Sequence, residues 1–196
     1  MKYFVDTEFN PRIGKAPELI SLGAVDMNGR EFYGENLEFD MMSLEVDPWL
    51  HENVFPHLTG PGMLEKALID GFVDYLNEGK ENKNDPLEIY FWVGTYDWFI
   101  IWDLFTKYRI WDYKGSANIP ARHYKELKHL QEWFAPKLDF LDIKTPGAVH
   151  NALADAKWNK LVYEAVRKEV DFTAQRLDPE TGPHGGQTYS TVGLDI

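Results

Sequence analysis

The chain has 196 residues, 44% of them hydrophobic and 15% aromatic, enough to bury one sizeable core and too apolar for a disordered segment. It has no cysteine, which excludes disulfides and thiolate metal sites and fits a reducing, cytoplasmic setting; no apolar run reaches transmembrane length, and no signal-type segment opens the chain. The formal net charge of -12 argues against holding nucleic acid by broad phosphate neutralisation, so charge alone favours another partner unless bound cations or a local basic rim supply the attraction.

Residues 2–9 read as a strand, an apolar run that ends in Asp6 and Glu8. Pro11 and Gly14 punctuate a loop, and Glu18 to Asp26 reads as a second strand. Asn28-Gly29 is a hairpin signal, after which Arg30 to Phe39 alternates well enough for a third. A loop carrying Pro48, Pro56 and Pro61 follows, then a helical pattern from about Gly62 to Leu76 and a polar connection from Asn77 to Pro86. Leu87 to Val93 is a fourth strand, with Thr95 placed to cap a helix from Tyr96 to about Tyr108. Gly115 to Pro120 reads as loop, and His123 to Phe134 as a short strand running into a helix. Ala152 to about Phe172 is the last helix, and the Gly/Pro-rich stretch from Asp178 reads as a tail. Three antiparallel strands followed by alternating helix and strand predict an α/β fold with a mixed β-sheet flanked by helices. Sites in such sheets form where strands end and the next helices begin.

The chemistry-bearing residues fall at those places. Asp6 and Glu8 lie two apart on a strand and so share a face, where two like charges repel unless a cation sits between them. Asp-x-Glu arises by chance in a chain with 32 acidic residues, and does so again at Asp178 and Glu180, but there no apolar strand aims it. Of the six histidines, only His150 has an aspartate five positions later, Asp155. Asn151 is a good N-cap, which leaves His150 outside the helix and puts Asp155 in its first turn, where the helix dipole favours a carboxylate. Asp97, just past the fourth strand in an apolar segment, is the fourth acid; Asp103 lies almost two turns further down the helix, and Asp139 and Asp142 read as loop charges.

Asp6-Thr-Glu8, Asp97 in a strand-to-helix turn and His150-x4-Asp155 resemble the ordered motifs of the DEDDh 3′–5′ exonucleases, which have a ribonuclease H-like fold. More narrowly, Tyr3-Phe-Val-Asp-Thr-Glu-Phe9, Glu18-Leu-Ile-Ser-Leu-Gly23, Phe91-Trp-Val-Gly-Thr-Tyr-Asp97, Glu126-Leu-Lys-His-Leu130 and His150-Asn-Ala-Leu-Ala-Asp-Ala156 are similar to the mycobacterial ribonuclease AS group. The resemblance covers roughly residues 1–168. It implies an exonuclease domain over residues 1–172 and a sheet of three antiparallel then parallel strands, while composition makes 173–196 a loosely ordered C-terminal tail with no counterpart in the family.

It further implies two Mg²⁺ ions, with Mn²⁺ able to substitute, on Asp6, Glu8, Asp97 and Asp155. His150 would take the proton of the attacking water, and a nucleoside 5′-monophosphate would leave the 3′ end of single-stranded RNA. Two divalent ions would also answer the charge problem. Thr7, Glu8, Phe9 and Trp98 are the candidate substrate contacts, Phe9 and Trp98 by stacking on bases; plain core packing is the alternative for each. Lys15, Arg122, Lys125, Lys157 or Arg12 would supply a small basic rim. The group's preference for adenylate-containing RNA and its homodimers are carried over as expectations. A single-stranded DNA exonuclease of the same fold and a nucleic-acid-binding scaffold that no longer cuts are the rival readings.

Overall fold

Alternation along the first strand sorts its side chains between two helical layers. In the computed structural model, which describes residues 1–12, 14–79, 87–110 and 124–177, this strand is β1 (Lys2–Asn10). Tyr3 and Val5 pack on one face against α2 (Glu65–Glu78) and α3 (Thr95–Lys107), through Leu68, Phe72, Ile101 and Phe105. Phe4 packs on the other face against α4 (Leu127–Phe134) and α5 (Ala152–Leu177), meeting Leu127 and Tyr163. A strand covered on both faces must be apolar on both, which is why residues 3–5 form a continuous hydrophobic run.

β1 pairs antiparallel with β2 (Glu18–Asp26), which pairs antiparallel with β3 (Glu31–Asn36) across the Asn28-Gly29 turn. On its other edge β1 runs parallel to β5 (Glu88–Phe91), which runs parallel to β6 (Tyr124–Glu126). A two-residue strand, β4 (Gly62–Met63), adds to β3, giving the order β4-β3-β2-β1-β5-β6. This is the mixed α/β sheet that the sequence predicts, with β1 at its centre.

The differences lie in the connections. The proline-bearing loop contains a short helix, α1 (Pro48–Asn53), and a 3-10 turn over Phe55–His57. Pro48 opens α1 at a position where its missing N–H costs nothing, and the Asp47 carboxylate accepts from the Trp49 N–H. Thr95 is the first residue of α3 rather than its cap; Gly94 takes that place and gives no side-chain hydrogen bond. α2 begins at Glu65, later than Gly62, because Gly62 and Met63 are taken up by β4. α5 continues to Leu177, past the expected end near Phe172. The Gly115–Pro120 loop, Arg122 and the tail from Asp178 lie outside the described residues. No helix among the described residues is long and apolar enough to cross a membrane.

Candidate active site

β1 outruns its parallel neighbour. The last β1–β5 pairs are Phe4 with Tyr90 and those before it, so beyond Phe4 the β1 edge on that side has no strand to bond. Two side chains close it. Asn159 on α5, itself buried, donates to the Val5 carbonyl at 3.0 Å, and the Asp97 carboxylate accepts from both the Thr7 backbone N–H (2.9 Å) and the Thr7 hydroxyl (2.7 Å). Asp97 is buried in the first turn of α3, where the positive end of the helix dipole favours its charge. Thr7 is thus a buried partner of Asp97 on the α3 side of the sheet, its hydroxyl hydrogen committed to that carboxylate.

Asp6 and Glu8 share the opposite face, toward α5. The register pairs Asp6 with Gly23 on β2. A Cβ at Gly23 would lie 2.3 Å from the backbone of Ala152 and Leu153, so only glycine lets the start of α5 come so close to the sheet. Ala152, at this contact, and Ala156, one turn on, are fully buried. The Asn151 side chain caps the helix by accepting from the Ala154 N–H at 3.1 Å, and its amide donates to the His57 carbonyl (3.0 Å) and the Tyr33 hydroxyl (3.3 Å). His150 precedes the cap with φ +64°, an unusual value for a residue with a Cβ. That bend turns its N–H onto the Asp155 carboxylate at 3.0 Å. Side-chain ligand atoms of Glu8, His150 and Asp155 all lie within 4.8 Å of one another. Trp49 of α1 meets the His150 ring edge-on at 4.8 Å between centroids.

The electrostatics are those of a place waiting for positive charge. Burial first, then the neighbouring charges of Asp97, Glu8 and Asp155, hold the Asp6 carboxyl well above the ordinary carboxylate range. Glu8 is pushed up to about 8 by burial and by Asp155 and Asp97, and Asp155 to about 6 by burial, against the opposing hydrogen bond from the His150 N–H. Asp97 is raised by burial, partly offset by the two Thr7 bonds. Burial and nearby His57 lower the His150 pKa, favouring neutral imidazole. None of the four carboxylates forms an ion pair with a lysine or arginine among the described residues. Hard oxygen donors, crowded and without a cationic side chain, are a donor set that fits Mg²⁺ or Mn²⁺.

The structure therefore gathers Asp6, Glu8, Asp97, Asp155 and His150 at one end of β1. Phe9, after a register shift that separates it from Glu8, is partly exposed and lies against Tyr96 at 5.6 Å between rings. Trp98 leans on the core and on Trp102 and Tyr124, and with Thr95 and Phe99 these residues line an open groove of about 300 Å³. Asp103 is exposed on α3, away from the cluster. The proposed rim is scattered: Lys125 pairs with Glu88, Lys157 with Glu31, and Arg12 and Lys15 with Glu45. Asn159, Gly23, Trp49 and His57 were not singled out by sequence. Asn159 alone left a usable sign, since it lies one helical turn after Asp155 and shares its face.

The 3′-5′ exoribonuclease Rv2179c-like domain family matches residues 1–167. Two curated proteins of Mycobacterium tuberculosis, the 3′-5′ exoribonucleases Rv2179c (strain ATCC 25618 / H37Rv) and MT2234.1 (strain CDC 1551 / Oshkosh), are each 31% identical over 173 residues, covering 80% of this chain and 88% of theirs. Among solved structures, S. pombe Pop2p in its Mg²⁺- and Mn²⁺-bound form superposes with a TM-score of 0.55 at 13% identity, covering 85% of this chain and 82% of that one. A 3′-exonuclease described in 3′-end specific recognition of histone mRNA stem-loop gives 0.58 at 12% identity, covering 87% and 81%. These two likenesses speak to the fold, which is ribonuclease H-like.

Proposed function

The chain belongs to the Rv2179c-like 3′-5′ exoribonuclease family, and from that premise we propose that it shortens single-stranded RNA from the 3′ end, releasing nucleoside 5′-monophosphates. Asp6, Glu8, Asp97 and Asp155 would hold two divalent ions, Mg²⁺ or Mn²⁺. Such ions, when bound, neutralise charge at the scissile phosphate and make water a better nucleophile. His150 accepts the proton of that water; its lowered pKa keeps the ring neutral and able to do so near pH 7. The His150 backbone N–H on the Asp155 carboxylate ties the segment that carries the imidazole to that side chain. Phe9, with Tyr96 beside it, offers an aromatic surface next to Glu8 for the terminal base, and Trp98 lines a second one. A preference for adenylate follows from the resemblance to the ribonuclease AS group.

The observation that carries this reading is the convergence of four carboxylates, unpaired by any described lysine or arginine, beside one imidazole. The test is a degradation panel of poly(A), poly(U), mixed RNA and single-stranded DNA, 5′-labelled, with Mg²⁺, Mn²⁺ or EDTA. Stepwise loss from the 3′ end that stops in EDTA is expected, fastest on poly(A). RNA binding without EDTA-sensitive release of mononucleotides would make the protein a scaffold instead.

A further inference from the structure

Two strand positions beyond Glu8, Asn10 is buried and takes no part in the carboxylate cluster. Its amide donates to the Glu45 carbonyl and its oxygen accepts from the Asp47 N–H, both at 3.1 Å. The segment carrying Glu45 and Asp47 is thereby pinned to the end of β1. Beyond the pin lies an open cleft of about 420 Å³, lined by Arg12 and Lys15 on one side and by Glu45, Asp47 and Pro48 on the other. Its Pro48 wall leads directly into Trp49, whose ring meets His150. The cleft thus lies at the end of β1 that carries Glu8, one residue away along the chain from Trp49.

Arg12 and Lys15 place two cations together in this cleft, in a chain of net charge -12. Both are held by the same carboxylate: Lys15 bonds Glu45 at 2.5 Å, and Arg12 lies 3.7 Å from Glu45 and 3.6 Å from Glu18. The Glu45 and Lys15 side chains are each 53% exposed, so their pairing is screened by water and easily exchanged. Glu45 offers the two cations what a phosphate would offer them, a pair of anionic oxygens.

We propose that this cleft is the subsite for the phosphodiester backbone of the substrate strand on the 5′ side of the scissile nucleotide, with Arg12 and Lys15 exchanging Glu45 for a phosphate. The proposal rests on the exonuclease reading and deepens it. Glu45 acts as an internal competitor that keeps the cations paired until a strand arrives, and so limits their adhesion to other polyanions.

The test is equilibrium binding of a 5′-labelled single-stranded RNA, followed by fluorescence anisotropy in Ca²⁺ across a salt series, for the full chain and its variants. R12A/K15A is expected to bind about tenfold more weakly, with a salt slope shallower by about 0.7 for each phosphate left without its cation. Glu45→Gln should shift affinity the opposite way, tightening binding several-fold and steepening the slope. Unchanged affinity and slope in both variants would take the cleft off the RNA path and overturn the proposal. The underlying reading is checked separately, by metal-dependent hydrolysis of a minimal chromogenic phosphodiester by the unaltered protein. That substrate has no 5′ strand to fill the cleft, so the two failures are distinguishable.

Discussion

His150 adopts φ +64°, a region that costs free energy for a residue with a Cβ, and such strain persists only where surrounding contacts over-determine it. Here the contacts are its own N–H on Asp155 and the Asn151 side chain tied to His57 and Tyr33. The result is an imidazole beside two carboxylates. Removing it separates proton transfer from metal binding: His150→Ala should lower turnover by about 10²–10⁴-fold, while Mn²⁺ affinity measured by calorimetry stays near that of the parent. A large loss of Mn²⁺ affinity in that variant would make His150 a ligand, which its distance to Glu8 and Asp155 also permits. Strand alternation, one helix N-cap and an apolar segment around Asp97 marked these five residues as candidates, and the resemblance of their ordered motifs to the DEDDh exonucleases joined them into one set. Asn159 and Gly23 were not legible, because their roles, closing an open strand edge and admitting a helix, exist only once α5 lies across β1 and β2.

At the scale of elements, the site depends on how closely α5 approaches the sheet. Gly23 faces the Ala152–Leu153 backbone with room for no side chain, and its register partner is Asp6. Gly23→Ala would push the start of α5 outward, carrying His150 and Asp155 away from Asp6 and Glu8. Overpacking of this kind costs about 1–3 kcal/mol, and the expected signature goes further than lost stability. The rise in melting temperature produced by Mn²⁺ over EDTA should shrink in Gly23→Ala, because the displaced helix bears part of the proposed ligand set. A full metal-induced rise on a lower baseline would show that the helix position does not matter to the site. Other elements varied in how plainly their sequence announced them. β2 matches its expected span because both faces are buried and the run is uninterrupted. α1 was hidden because three prolines read as breakers, whereas Asp47-Pro48 is a helix start when the chain after it is free to turn.

For the whole molecule, the gathered carboxylates tie stability to pH and to metal with a definite sign. A carboxyl whose folded pKa is raised binds its proton more tightly folded than unfolded, so it makes the protein less stable as pH rises from the unfolded value toward the folded one. Glu8, raised to about 8, and Asp155, raised to about 6, place that window between about pH 4 and pH 8, and Asp6 and Asp97 act in the same direction. His150 opposes them: its folded pKa is lowered, so its contribution grows as pH rises past that value. One group stands against four. The exposed, lowered carboxyl of Glu45 and that of Glu88 contribute below this window, since their stabilisation is complete above the ordinary glutamate value. The metal-free protein should therefore melt at progressively lower temperature between about pH 5 and pH 8, and saturating Mg²⁺ or Mn²⁺ should flatten or reverse the trend by replacing the missing protons with cations. Scanning fluorimetry in EDTA and in metal reads both curves. Glu8→Gln, which removes the contribution that reaches to about pH 8, should make the metal-free curve shallower. A metal-free melting temperature that climbs across this range would mean the four acids do not share one desolvated, cation-poor pocket.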